Sequence, residues 1–96
     1  MYKYGVDPGS FRWNGWNVDH VSKHGVEPDD AEEVVLAARA PFPSYEGDGK
    51  WLVRGQTSSG TYIQVIYVVD SDGRFYIIHA RQLTHSEKRR LRRRLR

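Results

Sequence analysis

Apolar and polar residues change their period along this chain of 96 residues, and the changes mark out its elements. Trp51–Gly55, Tyr62–Val69 and Phe75–Ala80 are short runs rich in aromatic and β-branched residues, the signature of strands. Ser58, Ser59 and Gly60 form the first joint between them, and Asp70, Ser71, Asp72 and Gly73 the second, so the three runs read as an antiparallel meander. Strict alternation in the last run would put Phe75, Ile77, His79 and Arg81 on one face and Tyr76, Ile78 and Ala80 on the other.

Helical spacing appears on either side of the meander. Asn17 is a good N-cap for a short helix with Val18, Val21 and Ser22 on its face, and Gly25 after His24 suits its left-handed end. Pro28 fits the first position of a second helix, whose early carboxylates, Asp29, Asp30, Glu32 and Glu33, complement the helix dipole. Ala31, Val34, Val35 and Ala38 give its buried stripe, and Pro41 stops it. Thr84 with Glu87 forms a capping box that opens a third helix over residues 84–96. Residues 1–10 read as a loose lead-in, and Phe11–Trp13 as an edge strand before an Asn14-Gly15 turn. Pro41 to Gly49 reads as loop with a strand fragment at Ser44–Glu46. The expected architecture is a single α+β domain, with two N-terminal helices packed on a small antiparallel sheet and a C-terminal basic helix after it.

Composition narrows the function. There is no cysteine, so disulfides, thiolate-bound zinc and a thiol nucleophile are excluded. Residues 1–10 hold no apolar run, so neither a signal peptide nor a membrane span is expected, and the expected location is the cytoplasm. The fifteen basic and twelve acidic residues are unevenly placed. From Lys88 onward the chain has seven of the bases and no acid, which leaves eight bases against twelve acids before it. A basic tail on an acidic body points to a localised anion-binding surface.

The third helix has only Leu91 and Leu95 as apolar residues, one turn apart. Lys88 with Arg92, Arg89 with Arg93, Arg90 with Arg94 and Arg92 with Arg96 are like charges at i,i+4, each costing roughly 0.2–0.5 kcal/mol. A polyanion or an acidic partner would relieve that repulsion, whereas a solvated helix without a specific partner is the plainer reading.

Lys23-His24-Gly25-Val26, a following acidic helix, Gly55 and Gly60 about a turn, Val65-Ile66-Tyr67, and Ile77-Ile78-His79-Ala80-Arg81 with Thr84 and Glu87 together resemble the BrnT family, the toxin components of type II toxin-antitoxin pairs. The resemblance spans roughly residues 11–90. It implies a fold similar to the RelE-type ribonuclease toxins, an RNA-cleaving activity that stops translation, and a BrnA-like cognate antitoxin that binds the toxin. The chain differs from the family pattern at His20, Tyr76 and His79, where the family more usually has Asn, Arg and Ser.

Cleaving RNA without a metal requires one group to take the 2′-OH proton, another to protonate the leaving oxygen, and cations fixed on the phosphorane charge. Lys23, His24, His79 and Arg81 are the right residue types for a catalytic set. Arg54, Lys88, Arg89, Arg90, Arg92 and Arg93 are the expected RNA contacts. The catalytic set has a structural reading beside the functional one: Arg81 pairing with Glu87 or an early-helix carboxylate, His79 as a satisfied half-buried histidine, and Lys23 and His24 complementing a helix C-terminus. His20 and His24 stand at a metal-compatible i,i+4 spacing with no third ligand nearby, and no glycine cluster matches a phosphate-cradling loop, so neither metal nor cofactor is expected. The expected partners are RNA and an antitoxin, with which the chain would form an oligomer. The alternatives are a non-catalytic nucleic-acid-binding module worked by the tail, or an interaction protein whose tail docks an acidic partner.

Overall fold

The computed structural model describes residues 10–94. In chain order the elements are β1 (Phe11–Arg12), α1 (Gly15–Ser22), α2 (Pro28–Leu36), β2 (Ser44–Gly47), β3 (Lys50–Gln56), β4 (Tyr62–Val69), β5 (Phe75–Gln82) and α3 (His85–Arg94). The lead-in expected over residues 1–10 lies outside the described residues apart from Ser10, as do Leu95 and Arg96 at the end of the third helix.

The α+β class and the β3–β4–β5 meander are as expected. The sheet is larger than the meander and mixed. It has five strands in the order β1-β5-β4-β3-β2, with β1 parallel to β5 and every other pair antiparallel. A wholly antiparallel sheet is therefore corrected to one with a parallel edge strand. β1 is too short to cover that edge, and α1 continues alongside β5 in its place. Asn14 meets Tyr76, the His24 ring lies 6.0 Å from that of His79, and Gly25 lies beside Gln82.

The start of α1 also differs from expectation. Asn14 is its N-cap and Asn17 the third helical residue, and the two exchange side-chain-to-backbone hydrogen bonds. The Asn14-Gly15 pair thus opens a helix in place of the expected turn. Asn17 is fully buried, and its amide nitrogen donates to the Arg12 carbonyl at 3.1 Å, which ties the helix to β1. Gly25, with φ +74°, ends the segment in the left-handed conformation expected of it. α2 begins at Pro28 as expected and ends at Leu36, before Pro41 is reached.

The core lies on one face of the sheet. Val53, Ile63, Val65, Tyr67, Ile77 and Ala80 pack there against Val21, Val26, Ala31, Val34 and Val35. Gly55 lets α2 approach closely, since a Cβ at that position would lie 3.3 Å from a methyl of Val34.

A β-bulge in β5 determines what the second face carries. Tyr67 pairs with Ile77 and Ile66 with His79, so Ile78 is an extra residue without a cross-strand partner. Alternation resets there, and Ile77 and Ala80, three residues apart, are both fully buried in the core. His79 and Arg81 do share a face, as expected, but it is opposite to the face of Phe75 and Ile77. They stand there with Tyr62, Gln64 and Ile66 of β4 and Leu52 and Arg54 of β3. Among the described residues no helix is long and apolar enough to cross a membrane.

Candidate functional site

The second face of the sheet carries a chain of polar contacts that begins at the α3 N-terminus. Thr84 and Glu87 form the expected capping box: the Glu87 carboxylate accepts from the Thr84 N–H at 2.8 Å, and the Thr84 hydroxyl accepts from the Glu87 N–H at 3.3 Å. The same carboxylate takes both terminal nitrogens of Arg81, at 2.8 and 2.9 Å, and Nη2 of Arg54 at 3.2 Å. Glu87 is nearly buried, and its carboxyl is held far below the ordinary range, first by the Arg81 hydrogen bonds and next by the Thr84 N–H.

This clamp leaves part of Arg81 open. Its Nη1 also donates to the Gln82 carbonyl at 3.0 Å, so the edge formed by the two terminal nitrogens is occupied. The other edge, made by Nε–H and the outer proton of Nη2, makes no hydrogen bond within the described protein. A guanidinium can hold a phosphate by either edge. Glu87 orients Arg81 and offsets part of its charge.

Arg54 passes the network to the histidines. Its Nε donates to the Gln64 side-chain oxygen at 3.1 Å, and the Gln64 nitrogen lies 3.1 Å from Nε2 of His79. An arginine can only donate, so the Gln64 oxygen must face Arg54 and its NH₂ must face His79. His79 therefore accepts at Nε2 and, when neutral, carries its proton on Nδ1. Its pKa lies below the ordinary 6.5, first because the ring is partly buried and then because Arg81 and His24 are near. Gln64 is buried, and sequence reasoning had assigned it no role.

Of the expected catalytic set, the fold brings His24, His79 and Arg81 together. Lys23 is the C-cap residue of α1, exposed beside His24, with no described side-chain contact to the other three. His20 stacks on Trp16 at 3.7 Å, and Nδ1 of His20 lies 3.0 Å from the Trp16 carbonyl. Trp16 is half-exposed and its ring lies nearly parallel to that of Tyr76, 6.3 Å away. These aromatics lie along the same flank of the sheet as the histidine pair. The i,i+4 spacing of Trp16, His20 and His24 is visible in the chain, but their strand neighbours are not.

The expected RNA contacts fall into two groups. Arg54 is a partly buried member of the Glu87 network. Lys88 and Arg92 lie over the Tyr62 ring, at 6.0 and 5.8 Å from its centroid, while Arg89, Arg90 and Arg93 are exposed. Leu91 is buried and, with Glu87, anchors α3 to the rest of the protein.

Comparison of the chain with protein-family models, with curated proteins and with solved structures found no match.

Proposed function

We propose that the protein is a ribonuclease toxin of the type II toxin-antitoxin class, cleaving RNA without a metal and neutralised by an acidic antitoxin. The observation that carries this reading is the half-clamped Arg81 beside the His24 and His79 pair. One guanidinium edge is oriented by Glu87 and the other is open, next to two imidazoles whose centroids are 6.0 Å apart. A group reached by hydrogen bonds from both rings fits that spacing.

In this mechanism the open edge of Arg81 holds a phosphate and stabilises the charge that builds on it. The exposed His24 takes the proton from the 2′-OH. The 2′ oxygen attacks phosphorus, the bond to the 5′ oxygen breaks, and a 2′,3′-cyclic phosphate and a 5′-hydroxyl result. The leaving 5′ oxygen takes its proton from solvent water on the opposite side of phosphorus, and His24 gives up the proton it took to solvent. His79, neutral and protonated on Nδ1, donates a hydrogen bond and does not serve as the base, because Gln64 occupies its lone pair. Lys23 adds positive charge at the end of α1. The exposed bases of α3 grip the RNA backbone, and an antitoxin segment rich in carboxylates would cover the same surface.

The test is cleavage of a fluorescent single-stranded RNA by the purified chain in chelator, with folding of each variant checked by circular dichroism. Activity that falls at least 100-fold in His24→Ala and in Arg81→Ala supports the reading. Activity absent from the wild type, or unchanged in both variants, rejects it.

A second reading, a non-catalytic RNA-binding module, is favoured by the Glu87 clamp itself. That clamp pairs Arg54 and Arg81 internally, whereas the exposed bases of α3 have no described ion pair. On this reading RNA binding without cleavage is the outcome of the same assay.

A further inference from the structure

On the other side of the Glu87 clamp from Arg81, the end of α2, the end of β3 and α3 enclose a cavity of about 540 Å³. Arg39, Arg54 and Arg92 line it, with Tyr62 as its aromatic wall and Val34 and Leu91 as apolar contacts. Among the described residues no carboxylate lines it. Arg39 and Arg92 form no described ion pair, and Nη1 of Arg54 is left unbonded by Gln64 and Glu87. Arg54 shares the Glu87 carboxylate with Arg81, so Arg39, Arg92 and a partly neutralised Arg54 leave the cavity an excess of positive charge that an anion placed among them would offset.

The cavity's two kinds of wall define its ligand. Cations alone would suit any anion, and an aromatic ring with aliphatic neighbours alone would suit any apolar group. Together they fit a ligand with a phosphate at one end and a flat ring at the other. The volume is in the range of pockets that hold small molecules. Arg92 already lies over the Tyr62 ring, so an inserted base can stack against one or both.

We propose that this cavity is a nucleotide-binding subsite, with Arg39 and Arg92 on the phosphate and Tyr62 stacking the base. It extends the RNA reading by assigning a position to a nucleotide next to the one held at Arg81. It does not depend on cleavage, because its ligand can be either a free 5′-mononucleotide or the phosphorylated end of an RNA strand.

The experiment is calorimetric titration of the full chain with AMP, adenosine and inorganic phosphate, repeated on Arg39→Ala, Tyr62→Leu and Tyr62→Phe. Arg74→Ala, an exposed arginine in the β4–β5 hairpin, controls for general charge. AMP should bind at least tenfold more tightly than adenosine or phosphate. Arg39→Ala should weaken it about tenfold, and Tyr62→Leu about 5- to 150-fold, the range measured for base stacking. Tyr62→Phe should retain binding. AMP no tighter than phosphate, or equal losses in Arg39→Ala and Arg74→Ala, overturns the proposal. Arg39 is exposed and its side chain makes no described hydrogen bond, so its variant reports even if Tyr62→Leu does not fold.

Displacement of AMP by a 5′-phosphorylated hexaribonucleotide, and not by its 5′-hydroxyl form, assigns the site to an RNA end. No displacement by either assigns it to a free nucleotide. Retained AMP binding in His24→Ala, with or without nuclease activity in the wild type, separates this proposal from the cleavage mechanism.

Discussion

Glu87 and Arg81 are joined through two parallel hydrogen bonds of 2.8 and 2.9 Å, and the same carboxylate caps α3. One side chain thus ties the basic helix to the sheet, and the arginine it orients belongs to the candidate site. Stability and site geometry depend on the same contact.

Replacing Glu87 with Gln should therefore affect both. The variant keeps the shape but loses the charge that offsets Arg81 and Arg54, at a cost of about 3 kcal/mol for a nearly buried pair. Urea denaturation at neutral pH measures that loss. A change below about 0.5 kcal/mol would mean that solvent, and not Glu87, compensates the two arginines.

Acid should weaken the wild type through the same residue. The Glu87 carboxyl titrates below its ordinary 4.5 in the folded protein, so the unfolded chain takes up that proton first as pH falls. Its contribution is complete above the unfolded value and declines as pH drops from about 5 toward the folded value. Glu87→Gln should flatten the acid limb of a stability-against-pH curve. An unchanged limb would contradict this origin.

His79 adds a second slope at higher pH. Its folded pKa lies below 6.5, so the unfolded chain binds the proton more readily, and stability should fall as pH drops below about 6.5. Gln64→Glu would place a carboxylate between Arg54 and the ring and favour the imidazolium. NMR titration should then find the His79 midpoint raised relative to wild type. A midpoint that stays or drops would show that Gln64 does not govern the ring.

Asn17 should matter more than a polar helix residue usually does. It is buried, accepts from the Asn14 N–H at 2.7 Å and donates to the Arg12 carbonyl at 3.1 Å. Asn17→Leu leaves both backbone groups unpaired and should cost about 2–4 kcal/mol, measured by thermal or urea unfolding. Asn14→Ala removes the cap and the acceptor of the Tyr76 hydroxyl at the exposed end and should cost about 1 kcal/mol. Equal losses would mean that burial of Asn17 adds nothing.

The basic helix gives a prediction in salt. Arg89→Ala with Arg93→Ala removes two exposed charges, and RNA affinity should lose up to about 1.4 from its log–log salt slope. Fluorescence anisotropy between 50 and 300 mM salt checks this, and an unaltered slope would place the RNA elsewhere.

The local sequence by itself determined the α+β class, the three meander strands, the start of α2 at Pro28, the left-handed end at Gly25 and the Thr84–Glu87 cap, because each depends on residues within a few positions of one another. The pairing of Arg81 with Glu87 was legible for the same reason, six residues apart. Asn17 was misread because an asparagine suits both the cap and the third position of a capping box, and only burial distinguishes the two. Tertiary structure alone decided the parallel β1, the bulge at Ile78 that turns His79 and Arg81 away from the core, and the line from Glu87 through Arg54 and Gln64 to His79. Those features join residues far apart in the chain. A bulge is an adjustment between two paired strands, which the period of one strand does not reveal.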